Sequence, residues 1–374
     1  MLPNKQGMLP EVDIVILNHN GKRFLDECIT SVLQSSYAKK QVYLLDNAST
    51  QDDVAYVTEK YPEVKIIQNP LNNGYCAAYN LAFKACPGEY IICLNNDVTV
   101  AKNWIESMVN LAESDMRIGA IQPKLLDYNK PTHFEYAGGS GGMIDVFGYP
   151  FLRGRIFDTV EEDKGQYEDI APVFWTSGAA MFLRKSALEE SGMLDETIVH
   201  HMDEIDLCWR LRLAGYSLYV QPKSVIRHIG GGTITTASFK KTYWNHRNSI
   251  YIMLKNYALL QVIRFVPIHI FLDYVVILQA MIKFNFTTIR AILTAHIWLI
   301  LNTGLIIKKR KEVQQKRKVS DKRILPYMYS GSIVYSYFLK GIKTFSQIKS
   351  TKQHENKPDT SSLEWTNGAT TGNI

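Results

Sequence analysis

The chain has 374 residues, 46% of them hydrophobic and 21% charged, with a formal net charge of +6. That length and apolar content exclude a disordered protein and allow one large core or two moderate ones. The basic excess sits in one block, Lys308 to Lys318, directly after the most apolar stretch and without interleaved aromatics, a pattern suited to anionic lipid and not to nucleic acid.

Met1 to Pro10 carries neither the basic leader nor the apolar run of an export signal and reads as a tail. Cys28, Cys76, Cys86, Cys93 and Cys208 form no CxxC pair and lie in apolar stretches, so buried thiols in a reducing compartment are expected. Four short β-rich runs then recur: Val12 to Leu17, Gln41 to Leu45, Val64 to Ile67 and Tyr90 to Leu94. Helical patterns, among them Lys22 to Gln34 and Cys76 to Ala85, separate these runs, and parallel βαβ units follow.

Each strand ends in amide or acid side chains: Asn18 and Asn20, then Asp46 and Asn47, then Asn69, Asn72 and Asn73, then Asn95, Asn96 and Asp97. One such loop is an ordinary turn. Four in succession define a polar crevice outside the carboxyl ends of the strands, where open α/β sheets bind ligands. Amides and the Asp46 carboxylate suit the edge of a nucleobase and its ribose, while Asp97 offers hard oxygen to Mg²⁺ or Mn²⁺, with a diphosphate completing the shell. The chain contains no GxxxxGK[ST] loop and no GxGxxG after its first strand, which argues against ATPases and dinucleotide enzymes and leaves a sugar nucleotide.

Glu135 to Pro172 is rich in Gly, Tyr and Phe, and its Gly138 to Gly142 run is expected to form a turn or mobile loop on the acceptor side. Further on, Asp203, Glu204 and Asp206 place three carboxylates within four positions, beside His200 and His201, at the start of a helical pattern that ends at Gly215. A helix cap needs one acid, so the surplus charge must be met by a cation, a shifted pKa or solvent. A catalytic base uses that surplus.

Taken in order, Ile14-Val15-Ile16-Leu17-Asn18-His19-Asn20-Gly21, Leu44-Leu45-Asp46-Asn47-Ala48-Ser49, Asn72-Asn73-Gly74-Tyr75-Cys76-Ala77-Ala78-Tyr79-Asn80 and Leu94-Asn95-Asn96-Asp97-Val98 form an ordered set. It continues through Trp175-Thr176-Ser177-Gly178-Ala179-Ala180-Met181 and Asp203-Glu204-Ile205-Asp206 to His228-Ile229-Gly230-Gly231. From Val12 to Asn256 the chain thereby resembles the inverting glycosyltransferases of family 2, in particular their bacterial rhamnosyltransferase-like branch. The resemblance implies a GT-A fold, a Rossmann-like, mostly parallel sheet flanked by helices. It implies that Asn18, Asn20, Asp46, Asn47, Asn73 and Asn96 bind the nucleotide sugar, that Asp97 and His228 hold a divalent cation (Mg or Mn), and that Glu204, with Asp203 as its competitor, is the base. Asn95-Asn96-Asp97 departs from the family's two-acid metal motif and leaves one carboxylate. Asp206 is assigned to capping or orientation, and Arg210 and Arg212 to pairing with these acids or with phosphate.

From Tyr257 onward, Leu259 to Ile282 and Ala291 to Ile307 read as long apolar helices. The first carries Arg264, Pro267, His269 and Asp273, which are costly in hydrocarbon. A single crossing by the second would put the basic block on the wrong side for a cytoplasmic enzyme, so interfacial helices are favoured over a membrane hairpin. The expected organisation is a tail (1–10), a glycosyltransferase domain (11–256), a membrane-associating helical region (257–346) and a disordered tail (347–374). The expected partners are a nucleotide-sugar donor, a glycan or lipid-linked acceptor, and the cytoplasmic face of the inner membrane. A catalytically inactive sugar-nucleotide-binding scaffold and a nucleotidyltransferase stay open as alternatives, the first favoured by Asn95-Asn96, the second weakened by the lack of a Gly-rich triphosphate loop.

Overall fold

The computed structural model describes residues 9–230 and 238–348, so Gly231 and nearly all of the expected tails lie outside the described residues. Asn- and Gly-rich turns divide the first hundred residues into β1 (Val12–Asn18), α1 (Lys22–Leu33), β2 (Lys40–Asn47), α2 (Asp53–Lys60), β3 (Lys65–Asn69), α3 (Tyr75–Ala85) and β4 (Tyr90–Asn95). β1 and β4 are buried along almost their whole length, as parallel strands covered by helices on both faces must be. β4, β1, β2 and β3 lie side by side and parallel. All four expected strands are present, and each runs on into its Asn or Asp end.

The next stretch contributes β5 (Val98–Val100), α4 (Trp104–Ser114), β6 (Ile118–Asp127), β7 (Gly142–Ile144), β8 (Pro150–Leu152), β9 (Arg155–Ile156), β10 (Thr159–Val160), β11 (Ala171–Pro172), β12 (Ala180–Arg184), α5 (Lys185–Ser191), α6 (Asp203–Leu213) and β13 (Ser217–His228). β12 enters antiparallel between β4 and β6, and β6 pairs in parallel with β13. The result is a mixed nine-stranded sheet in the order β11-β13-β6-β12-β4-β1-β2-β3, with β5 on β13, while β7 to β10 form a small second sheet. Two apolar clusters fill its faces, one around Ile14, Leu25, Leu44 and Trp104, the other around Tyr79, Phe83, Trp175 and Trp209. All five cysteines are free and buried.

The glycine run before β7 forms a hydrogen-bonded turn, one of the two forms expected of it, with the Gly141 amide donating to the Gly138 carbonyl at 3.2 Å. A Cβ on Gly142 would lie 2.2 Å from the Trp175 ring, so the backbone is pressed flat against the indole. Trp175 is fixed in turn by an Nε1 bond to the Met143 carbonyl at 2.7 Å.

α7 (Phe239–Asn256), α8 (Leu259–Ile282), α9 (Phe286–Leu301), α10 (Thr303–Lys316), α11 (Asp321–Ile324) and α12 (Ile333–Phe338) complete the chain. α8 matches its expected span, but the helix expected over Ala291 to Ile307 is broken: α9 and α10 meet at a 71° bend. At the break the Asn302 amide donates to the Trp298 carbonyl (2.8 Å) and the Thr303 hydroxyl to Ile300 (2.7 Å), local bonds that compete with helix continuation. The bend also redirects part of the basic block. Arg310 donates to the Leu254 and Tyr257 carbonyls (both 2.6 Å), and Arg317 donates to that of Asn256, so these two cations finish the carboxyl end of α7.

Asp273 on α8 points inward and is fully buried, accepting from His246 Nδ1 of α7 at 2.7 Å and His296 Nε2 of α9 at 2.8 Å. His269, one turn earlier, bonds the Phe147 carbonyl at 2.6 Å and stacks on Tyr149. Two of the four costly residues of α8 are thus spent inside the protein, Asp273 on the neighbouring helices α7 and α9 and His269 on the Phe147–Tyr149 turn, while Arg264 and Pro267 are exposed. The other face of α8, including Leu260, Ile263, Phe271, Leu278 and Ile282, is more than half exposed.

Candidate functional site

The Asn-tipped strand ends form one hydrogen-bonded edge. Asn18, fully buried, donates to Asp53 Oδ2 at 2.8 Å and accepts from Asn96 Nδ2 at 2.7 Å. Asp53 also accepts from the Gly21 amide at 2.9 Å, and a Cβ on Gly21 would collide with Asn96 Nδ2 at 2.0 Å. Asn18 and Asn96 thus brace the β1 and β4 loops against each other. Asn20 sits in the left-handed region (φ 52°) and accepts from the Thr50 amide at 2.8 Å. Asn47 donates to Asn72 at 3.0 Å, and Asn69 bridges Asn47 (2.7 Å) and Asn73 (2.9 Å). Asp46 Oδ2 receives the Ser49 amide at 3.2 Å, whereas its buried Oδ1 has no partner among the described residues. A buried carboxylate oxygen left open in a crevice is a ligand acceptor in waiting.

Asp97, just past β4, and His228, the last residue of β13, meet at 3.1 Å between Oδ1 and Nε2. The other ring nitrogen of His228 lies 3.2 Å from buried Glu135, close enough for ion pairing but not aligned for a good hydrogen bond. Burial works against protonation of His228, yet Asp97 and Glu135 together carry its pKa up to about 10. Burial likewise opposes ionisation of Asp97, and the His228 contact overrides it and draws the carboxyl below its ordinary value. An oxygen and a nitrogen 3.1 Å apart suit two ligands of one cation, which would take the place of the proton on His228 Nε2, with Glu135 orienting the imidazole from behind. Among the described residues no cluster of three His, Cys, Asp or Glu side chains is placed to hold a metal unaided. The pair therefore fits a cation whose remaining ligands come with a bound diphosphate.

α6 opens on the three acids. Its start follows two consecutive left-handed residues, His201 (φ 63°) and Met202 (φ 67°), a backbone state costing about 1–3 kcal/mol each. Asn248 holds this turn by donating to the His200 and His201 carbonyls (2.8 and 2.9 Å). Asp203 is buried and Glu204 partly exposed. Burial and the neighbouring Glu204 charge push the Asp203 carboxyl well above its ordinary range. Burial also raises Glu204, partly offset by its bond with Asp203. Burial thus holds both carboxyls back from ionisation, Asp203 the more strongly, and the partly exposed Glu204 is the one open to a substrate.

Asp206 is fully buried and accepts from Arg210 Nε (2.9 Å) and Asn256 Nδ2 (3.0 Å), with Lys255 Nζ at 2.9 Å. Burial favours its neutral form, but Lys255 and Arg210 hold it below the ordinary carboxylate value. Arg210 thus pairs with one of the acids. Arg212 does not: it donates to the Val173 carbonyl and lies over Tyr327. Tyr75 donates its hydroxyl to the Gly178 carbonyl at 3.2 Å, and the neighbouring Ala179 carbonyl accepts from the Asn95 amide at 3.0 Å. Burial pushes the Tyr75 phenol up, and the Asp203 and Glu204 charges add to that shift.

Sequence reasoning missed Asp53, Glu135 and Tyr75. Asp53 reads as a helix cap and Glu135 as the edge of a loop. Only Tyr75 stood inside a recognised motif.

Residues 13–191 match the family profile described as Glycosyl transferase family 2. Over 240 residues the chain is 26% identical to an N-acetylglucosaminyl-diphospho-decaprenol L-rhamnosyltransferase of Mycobacterium tuberculosis, covering 59% of this chain and 77% of that protein. It is also 26% identical over 242 residues to the O-antigen biosynthesis protein RfbC of Myxococcus xanthus, covering 63% of this chain but only 18% of that protein. Among solved structures, GalNAc-T7 with UDP, GalNAc and Mn²⁺ superposes with a TM-score of 0.53 at 18% identity, over 66% of this chain and 48% of that one, which supports the GT-A fold alone. Fold, ordered motifs and these matches together give the chain a glycosyltransferase family 2 domain over residues 13–191, with a rhamnosyltransferase among its relatives.

Proposed function

We propose that the enzyme transfers a sugar, with inversion, from a nucleotide-sugar donor to a hydroxyl of a lipid-linked glycan in the synthesis of a bacterial cell-surface polysaccharide. The observation that carries this reading is the acid pair Asp203–Glu204 at the strained start of α6, both carboxyls held above their ordinary values by burial, in the same domain as the amide-lined crevice with its open Asp46 oxygen. dTDP-rhamnose is the favoured donor, on the likeness to the mycobacterial rhamnosyltransferase, with a UDP-hexose as the alternative.

Glu204 takes the proton of the acceptor hydroxyl as its oxygen attacks the anomeric carbon. Asp203, holding its own proton, fixes the Glu204 carboxylate. Asp46, through its open oxygen, and the Asn47–Asn69–Asn73 ladder receive the base and ribose. Asn18 and Asn96 act behind them, as the brace that sets the crevice width. A divalent cation held by Asp97 and His228 would supply positive charge to the leaving diphosphate. Glu135 keeps the imidazole aimed at that position.

α8 supports a seat on the cytoplasmic face of the inner membrane. It is long and apolar enough to cross a bilayer, but Asp273 and His269 fasten it to α7, α9 and the Phe147 turn and leave one apolar face outward, the form of an interfacial helix.

Calorimetric titration with a panel of sugar nucleotides, with and without Mn²⁺, tests the donor side. Binding of dTDP-rhamnose that tightens with the cation is expected, and tight binding of a UDP-sugar with none of dTDP-rhamnose would remove the rhamnosyl assignment. The anomeric configuration of the product, read by NMR, tests inversion.

A further inference from the structure

The first two turns of α7 carry Lys240, Lys241 and Trp244 with no buried role. All three are exposed or half-exposed, and among the described residues neither lysine has an ion-pair partner. They lie between two features already described. On one side, the Trp244 ring packs against His200 (centroids 4.9 Å apart) and His201 (6.4 Å), the residues that lead into Asp203 and Glu204. The charges of Lys240 and Lys241 are felt there too: after burial, they help hold His200 below its ordinary pKa and His201 at about 4, so both rings stay neutral.

On the other side, the exposed Arg290 of α9 lies over the Phe239 ring at 4.9 Å, which brings a third cation to the same end of α7. Arg290 follows closely on the α8–α9 turn, whose Ile282, Phe284 and Phe286 are 73%, 79% and 70% exposed. One end of α7 therefore gathers an aromatic ring and two cations beside the turn that leads into the acid pair, with a third cation, Arg290, shortly after the apolar tip. A sugar, a diphosphate and a lipid chain need these three kinds of surface side by side.

We infer that Lys240, Lys241 and Arg290 bind the diphosphate of the lipid-linked acceptor, with the Trp244 ring as the platform for its first sugar. The inference rests on the lipid-linked acceptor reading above and adds where that acceptor sits. It fixes the direction of approach: the sugar enters over α7 while its lipid leaves toward the α8–α9 turn.

The test compares two synthetic acceptors in one zwitterionic detergent: a short polyprenyl diphosphate bearing N-acetylglucosamine, and the same lipid glycoside without the diphosphate. For the wild-type chain, kcat/KM should favour the diphosphate acceptor. In Lys240→Glu with Lys241→Glu, and separately in Arg290→Glu, that preference should fall by about tenfold to a hundredfold, the loss of charge-assisted contacts. Trp244→Ala should raise KM for both acceptors. Donor titration on each variant reports whether the fold is intact. An equal loss on both acceptors in the charge variants, or no loss, overturns the inference and leaves the acceptor class standing. A charge effect seen only when anionic vesicles replace the detergent assigns these cations to lipid headgroups and also overturns it. A wild-type enzyme that uses neither lipid acceptor removes the acceptor reading itself.

Discussion

Glu204→Gln keeps the shape of the side chain and removes its ability to take a proton. Turnover should fall by about a hundred to ten thousand-fold, with sugar-nucleotide affinity close to that of the wild type in calorimetry. Because burial raises both members of the acid pair, the base protonates at a higher pH than an ordinary glutamate, so kcat should decline on acidification with an apparent pKa above 4.5. A pH-rate profile with its acid limb at or below that value counts against Glu204. Asp53→Ala should destabilise the chain by about 1–3 kcal/mol for each group it strands, the Asn18 amide and the Gly21 N–H, measured by urea denaturation. At this scale the sequence was legible by residue type but not by role. Asn18 and Asp46 carry equal weight as letters. Yet Asn18 is consumed by Asp53, 35 positions away, while Asp46 keeps an open oxygen. Which amide braces and which contacts depends on packing between loops, and no local pattern encodes it.

Among the elements, α6 is held from beneath by α7. Lys255, 1% exposed, bridges Asp206 (2.9 Å) and Asp195 (2.5 Å), and Tyr251 donates to Asp195 at 2.7 Å. Lys255→Met leaves two buried carboxylates without their shared cation and should cost about 3–5 kcal/mol, read as a lowered denaturation midpoint, with the pH-rate profile shifted in whatever activity survives. The first four strands were readable because each is a short apolar run closed by a turn residue. The antiparallel entry of β12 was not, since its partners β4 and β6 are chosen by the sheet as a whole. The bend between α9 and α10 was hidden for another reason: apolar periodicity continues through Asn302, and only the side-chain bonds of Asn302 and Thr303 to the preceding carbonyls reveal the break.

For the molecule as a whole, the apolar tip gives membrane binding a sharp test. Phe284→Asp with Phe286→Asp should release the protein from anionic vesicles in a flotation assay, each ring forfeiting about 1.5–3 kcal/mol of burial. Retention of both rings with added salt should weaken binding less than their loss does, because part of the basic block is spent indoors. That last point reaches further. With Arg310 and Arg317 closing the end of α7, and one apolar cluster running from Trp209 through Tyr257 and Phe265 to Leu299 and Val313, the helices that carry the exposed apolar face are also the floor of the sheet domain. Cutting the chain near residue 257 should therefore uncap α7, strip the support from Lys255 and Asp206, and loosen the acid pair, so the helices beyond that point behave as part of the catalytic fold and not as an appendage to it.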